Sequence, residues 1–409
     1  MSIDTPAHPQ SQTAPAAEGE RAGVPKRRLD ASFTYCLKVF IALRLGLWLI
    51  GLLAVALLTP NPGVGQAVTP GWHNLFTAWN QWDVGWYMKI AAHGYTPTDG
   101  TAAFFPLYPG LVHALGLVLG RHWLVGAYLV SNGCFLAAMV VVYRLSEFEF
   151  STHVARLTVL YMAVFPTAFF FLAPYSESLF LLLVVSCLYS ARRRKWLAAG
   201  AFGLFAALTR SVGVTLAVPL ALEAIHQAGW FAKAAVKRSK LGTFGALVAS
   251  VSPAVGLGIY LLYWKVHSGD WLIPFRAQGG WAREFSWPWE TISNGARIGL
   301  RFIGSFPGGY HTVDLVLVTV AFAALVWAVL KTPAIYWSYA LASLTVPLFL
   351  VFGARPFMSM PRFVLPVFPL FWALVAFADR FKASQLVIAA SAAGLGMLGL
   401  LFVNSYWVF

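Results

Sequence analysis

Asp83 stands in the stretch Trp82–Tyr95, WDVGWYMKIAAHGY, and is one of only 15 acidic residues among 409. A carboxylate set among tryptophans can accept a proton from a hydroxyl, the work of a general base. Few other ionisable residues could join it. Glu177 follows Pro174-Tyr175-Ser176, Arg210 lies in the run TRSVG at Thr209–Gly213, and Arg355 and Arg362 flank a short loop at Ala354–Met360. Arginine grips phosphate or carboxylate with two parallel hydrogen bonds. Each residue also has a plainer reading. Asp83 fits a solvated charge in an aromatic belt, and Arg210 fits a side chain that snorkels to the interface or pairs with Glu177.

The elements that must position these residues read as membrane-embedded helices. Hydrophobic residues make up 59% of the chain and charged residues 11%, against about 25% charge in soluble domains. Apolar runs of about 18 residues or more match the ~20 needed to cross hydrocarbon. We expect an all-α polytopic protein with about 11 spans, near 36–58, 123–144, 154–173, 176–191, 196–209, 211–226, 242–266, 312–330, 335–353, 361–378 and 384–403. The 14 apolar residues of 106–119 cover only ~21 Å as helix, so they are expected to lie flat or partly re-entrant at the outer interface. Splitting 196–226 at Arg210 keeps the basic runs Arg192–Lys195 and Lys233–Lys240 on one side, as the positive-inside rule asks. Both runs are most simply topological anchors.

The net charge of +14 therefore reflects loop topology and not a nucleic-acid partner. Cys36, Cys134 and Cys187 sit in or beside apolar runs and read as small hydrophobes, with no disulfide framework. Residues 1–30 are expected to form a disordered cytoplasmic tail, rich in Ala, Pro, Ser and Gln as far as residue 25. Residues 31–409 then form a single membrane domain. Two long loops, about 59–105 and 267–311, fall outside the membrane, and their Trp, Tyr and Phe content argues for order at headgroup level. In the first, Trp79, Trp82 and Trp86 fall at helical spacing, which predicts an interfacial helix burying a tryptophan stripe, with Asp83 and Tyr87 on a neighbouring stripe and Gly94 just past its end.

WDVGWYMKIAAHGY followed by AFFPLYP at Ala103–Pro109 resembles the first luminal loop of GPI mannosyltransferase 2, the PIG-V family, and its bacterial relatives in the GT-C glycosyltransferase superfamily. PYSESLF at Pro174–Phe180, TRSVG and PRFVLPVFP at Pro361–Pro369 follow in the same order, over about residues 36–380. One departure is Gln81, where the resemblance leads us to expect Arg immediately before Trp82-Asp83.

The resemblance implies a GT-C fold and an enzyme that transfers a hexose from a polyprenyl-phosphate donor to an acceptor hydroxyl, with inversion. The sugar would be mannose and the acceptor an unspecified glycan or lipid. A phosphate leaving group needs no protonation, so one base plus cations suffices, unlike the two carboxylates of glycosidases. Asp83 is then the expected base and Arg210 and Arg362 the expected phosphate clamps. Glu177 would orient an arginine or bind sugar hydroxyls, and Trp82, Trp86 and Tyr87 would shape the pocket. His93 and Arg355 complete the expected substrate-binding set. No cofactor is assigned. A divalent cation held by His93, His113 or His311 with Asp83 or Asp99 stays open, although no spacing matches a ligand motif. The expected setting is a bacterial plasma membrane, with the site facing outside among membrane lipids. A transporter or flippase for a lipid-linked or amphipathic solute is the alternative; it predicts ionisable groups near the bilayer midplane and repeated halves with broken helices.

Overall fold

A computed structural model describes residues 26–59, 61, 77–229, 240–305 and 308–408. Among them the α-helices are α1 (Lys26–Leu57), α2 (Asp83–His93), α3 (Leu107–Val118), α4 (Trp123–Glu149), α5 (Thr152–Val164), α6 (Glu177–Arg192), α7 (Trp196–Thr209) and α8 (Ala217–Gln227). They continue as α9 (Lys240–Ser268), α10 (Ile273–Gly279), α11 (Pro288–Arg301), α12 (Tyr310–Lys331), α13 (Ala334–Thr345), α14 (Met360–Val364), α15 (Pro369–Phe381) and α16 (Ser384–Val403). Of the tail expected over 1–30, residues 1–25 lie outside the described residues and α1 begins at Lys26. The basic run at 233–240 lies outside them except for Lys240, the first residue of α9.

Five helices are long and apolar enough to cross a membrane: Ala31–Leu57, Trp123–Glu149, Phe244–Ser268, Tyr310–Lys331 and Ser384–Val403. The other six expected spans are built from shorter or broken helices, and the chain chemistry explains the breaks. Pro166 separates α5 from a 3₁₀ turn at Ala168–Phe171, because a proline inside a helix removes a hydrogen bond and clashes with the preceding turn. Pro366 and Pro369 likewise separate α14 from α15. Arg210 is extended (φ −152°, ψ 145°) and divides α7 from the 3₁₀ turn Ser211–Leu216 that leads into α8. The turn folds back so tightly that a Cβ on Gly213 would lie 2.4 Å from the Ala206 carbonyl oxygen. The α3 helix has 12 residues, ~18 Å of rise, too short to span by itself.

The expectation of an all-α chain needs one correction. Residues 350–352, inside the expected span 335–353, form strand β2 (Leu350–Phe352), which pairs antiparallel with β1 (Arg283–Phe285); Arg283 lies opposite Phe352. Pro347 in the preceding 3₁₀ turn ends the helical run, and the β-branched and aromatic residues Val351 and Phe352 suit a strand. This pairing ties the segment between α10 and α11 to the chain just before α14. Nearby, α11 lies with Thr291, Gly295 and Gly299 buried while Trp289, Ile292 and Leu300 stay exposed. Gly295 admits the Phe357 ring, which would sit 2.5 Å from any Cβ there.

The interior around the break between α5 and α6 is aromatic. Every residue from 167 to 181 is buried, so the irregular backbone between α5 and α6 is surrounded by protein. Trp79 packs on Phe169 and Phe402 in this core. Elsewhere Arg192 is no simple loop anchor. It donates to Glu149 at 2.7 Å and Glu223 at 3.0 Å, Tyr336 also donates to Glu149, and four helices are thereby joined.

Candidate active site

Helix α2 begins at Asp83, so Trp79 and Trp82 precede it and the expected tryptophan stripe is not a helix face. The buried face is Val84, Tyr87, Ile90 and Ala91, and Trp79 has turned into the core instead. Gly94 does close the helix, at φ 79°. Trp82 is held at φ 54°, a conformation that costs of order 1–3 kcal/mol for a residue with a side chain. Its ring stacks on Trp407, and the Tyr175 hydroxyl donates to the Gln81 carbonyl at 2.9 Å. These contacts fix the backbone that aims Asp83.

Asp83 Oδ2 accepts from Arg362 Nη1 at 2.5 Å, and Arg362 Nε donates to Glu177 Oε1. The same Glu177 oxygen accepts from Arg210 Nη1, which also reaches Ser176 Oγ at 3.4 Å. Residues distant in sequence therefore form one chain of charge: Asp83, Arg362, Glu177, Arg210. Glu177 is fully buried, whereas a quarter of the Asp83 side chain is exposed. Among the described residues Oδ1 of Asp83 has no hydrogen-bond partner, and Asp83 lines the adjoining cavity. Arg362 lies over Tyr175 and Phe170, 4.7 and 5.2 Å from the ring centroids, and Arg210 over Phe363 at 5.4 Å. Rings under both guanidiniums keep water away and leave them oriented.

Asp83, Tyr87, Ser176, Arg210, Arg283 and Arg362 line a cavity of about 400 Å³. Its remaining wall is mostly apolar, including Phe104, Phe180 and Trp281. The size lies within the ordinary range for small-molecule pockets, ~300–1,000 Å³. Burial, with Glu177 adding to it, pushes the Tyr87 hydroxyl up to about 12, so it stays protonated beside Ser176 Oγ at 3.0 Å.

Other expected residues fall elsewhere. Trp86 borders the site indirectly, stacking on Phe104 and meeting Trp281 edge-on. Trp82 backs Asp83 and does not line the cavity. Arg355 is committed to Asp314 through two hydrogen bonds of 2.7 and 3.0 Å and to the Trp407 and Val408 carbonyls. His93 is exposed at the end of α2. His113 donates to the Ala91 carbonyl and stacks on Trp123, while His311 stacks on Phe302. Asp99 pairs with Lys89 and Thr101. The described residues include no group of three or more His, Cys, Asp or Glu suited to a metal ion, so the divalent site left open above is not gathered here.

Sequence reasoning missed Arg283, Ser176, Gln278 and Trp281, which all line the cavity. Ser176 had a signal, being next to Glu177. Arg283 had only its place in a loop rich in aromatic residues.

The family model described as mannosyltransferase (PIG-V) matches residues 47–283, more than half of the chain. The chain belongs to the mannosyltransferase (PIG-V) family. With five helices long and apolar enough to cross a bilayer, this family member is an integral membrane protein. The match takes in Asp83, Glu177 and Arg210 and ends on Arg283, leaving the Arg362 segment beyond it. No curated protein matches this chain. Solved structures with similar shape include ArnT from Cupriavidus metallidurans bound to undecaprenyl phosphate, at TM-score 0.46 and 14% identity, covering 91% of this chain and 76% of that one. The oligosaccharyltransferase AglB from Archaeoglobus fulgidus, in complex with an inhibitory peptide and a dolichol-phosphate, gives TM-score 0.46 and 12% identity over 91% and 56%. The Archaeoglobus fulgidus oligosaccharyltransferase with Zn and sulfate gives 0.43 and 15% over 88% and 53%. The chain thus spans about half the length of these archaeal enzymes, and likeness at this level transfers no residue role.

Proposed function

We propose that the protein is a membrane glycosyltransferase of the GT-C type, moving mannose from a polyprenyl-phosphate donor to an acceptor hydroxyl on a glycan or lipid, with inversion. The acceptor oxygen attacks the anomeric carbon while Oδ1 of Asp83 takes its proton. The bond from that carbon to the phosphate oxygen breaks, and its electron pair leaves with the polyprenyl phosphate. Arg362 orients the carboxylate through Oδ2, and Glu177 holds Arg362 and Arg210 in place. We assign the reaction to the outer face of a bacterial plasma membrane; residues of both aromatic loops, Asp83 and Phe104 from the first and Gln278 and Trp281 from the second, line the cavity.

The observation that carries this reading is a carboxylate with one oxygen unpartnered among the described residues, on the wall of a largely apolar cavity shared with three guanidiniums. Membranes containing the protein, supplied with radiolabelled polyprenyl-phosphate mannose, are expected to show label moving to an acceptor only when the protein is present. Transfer from a nucleotide sugar but not from the lipid-linked donor would overturn the reading.

A further inference from the structure

The charge network leaves one cation over. Arg210 and Arg362 both donate to Glu177, and Arg362 also to Asp83, so two guanidiniums are matched by two carboxylates. Arg283 lines the same cavity, and among the described residues no hydrogen-bond or carboxylate partner meets its guanidinium. Burial pushes Arg283 down from the usual arginine range. Asp83 draws it back up, and Arg362 and Arg210 add to the lowering. A partly desolvated cation among like charges is stabilised by any anion that enters. The remaining wall, with Phe104, Phe180, Trp281 and Leu350, favours an anion attached to an apolar body. A guanidinium fork suits the oxygens of a phosphate.

We propose that Arg283 is the residue that receives the donor's phosphate, while Arg210 and Arg362 mainly hold the carboxylates that frame the site. This deepens the donor reading above and rests on it. It also gives β1 a purpose: backbone pairing with β2 fixes the arginine opposite Phe352, so phosphate recognition comes from the second outer loop while the base comes from the first.

The test uses the full chain in detergent and three probes: undecaprenyl phosphate, undecaprenol and inorganic phosphate. Wild type is expected to bind undecaprenyl phosphate more tightly than undecaprenol. Arg283→Gln is expected to weaken undecaprenyl phosphate about tenfold to a hundredfold, the range for a hydrogen bond to a charged group, and to leave undecaprenol unchanged. Arg283→Lys is expected to fall between, keeping charge without the fork. Unchanged undecaprenol binding also reports that the variants are folded. If Arg283→Gln keeps the full preference for the phosphate, the assignment to Arg283 is wrong and the donor reading stands. If wild type shows no preference, both are wrong. Competition by inorganic phosphate at equal concentration would overturn the lipid-linked source.

Discussion

Replacing Asp83 by asparagine and Glu177 by glutamine separates the chemistry from its framework. Both changes are nearly isosteric and remove one negative charge. Asp83→Asn deletes the basic oxygen but leaves a carbonyl for Arg362, at a position a quarter exposed. Its stability loss should be near that of a partly solvated ion pair, ~1 kcal/mol or less. Its loss of transfer rate should be large, ~10²–10⁴-fold, the usual contribution of general base catalysis. Glu177→Gln reverses the balance. The wild-type carboxylate is fully buried and one oxygen serves both Arg362 and Arg210. Removing it leaves two largely buried guanidiniums facing a neutral amide, and breaking a buried pair costs about 3–5 kcal/mol.

The assay pairs initial rates of label transfer at saturating donor with the thermal midpoint in detergent. Asp83→Asn is expected to lose rate and keep its midpoint; Glu177→Gln is expected to lose midpoint, and rate only as the site loosens. Transfer by Asp83→Asn within threefold of wild type would refute the base assignment. A midpoint loss in Asp83→Asn as large as that of Glu177→Gln would refute the division between chemistry and framework.

Arg210→Lys keeps the charge but loses the planar fork that reaches Glu177 and Ser176, so transfer should fall while the protein remains folded; wild-type rates in a well-expressed Arg210→Ala would remove it from the site. Burial raises the Asp99 carboxyl, but hydrogen bonds from the Thr101 hydroxyl and Lys89 outweigh it and leave it at about 2. Its folded value lies below its unfolded one, so the stability it adds is present above about pH 4 and lost as pH falls toward about 2. A pH series of thermal midpoints should show that loss in wild type and a smaller one in Asp99→Asn; identical slopes would mean the pairing does not stabilise the loop.

The helical class, the long spans and the grouping of Glu177, Arg210 and Arg362 near Asp83 were all legible, because hydrophobic run length and rare charge in an apolar chain are strong local signals. The break at Arg210 was legible too, through the charge asymmetry of the flanking loops. What failed depended on tertiary contacts. Pro347 and the β-branched and aromatic residues after it hint at a break within 335–353, but nothing there announces that Leu350–Phe352 pairs with a strand about 65 residues earlier. Arg355 looked like Arg362 in sequence, and only the position of Asp314 on α12 decides that one is a buried structural pair and the other a cavity wall. The Trp79, Trp82, Trp86 spacing was a true helical period laid across a helix start. Periodicity does not reveal that boundary when the residue before the helix adopts positive φ.

The departure at Gln81 and the free guanidinium of Arg283 belong to one argument. Gln81 faces away from chemistry: its amide nitrogen donates to the Val403 carbonyl at 3.2 Å and the Ala78 carbonyl at 3.3 Å, and its oxygen accepts from Ser405 at 3.0 Å. An arginine could make the first two bonds but not the third, since it has no acceptor. The chain after α16 uses that third bond. Arg355 holds the Trp407 and Val408 carbonyls, Trp407 stacks on Trp82, and Phe352 of β2 packs against the Trp407 ring. One continuous set of contacts therefore runs from β2 through Trp407 to the strained backbone at Trp82 and so to Asp83. A neutral amide at position 81 secures that brace, and the cation that the resemblance leads one to expect before Trp82 is absent from this position. Arg283, on the strand paired to β2, is the unmatched cation of the same cavity, so under the reading proposed above the brace behind Asp83 and the arginine proposed for the phosphate are neighbours on one two-stranded sheet.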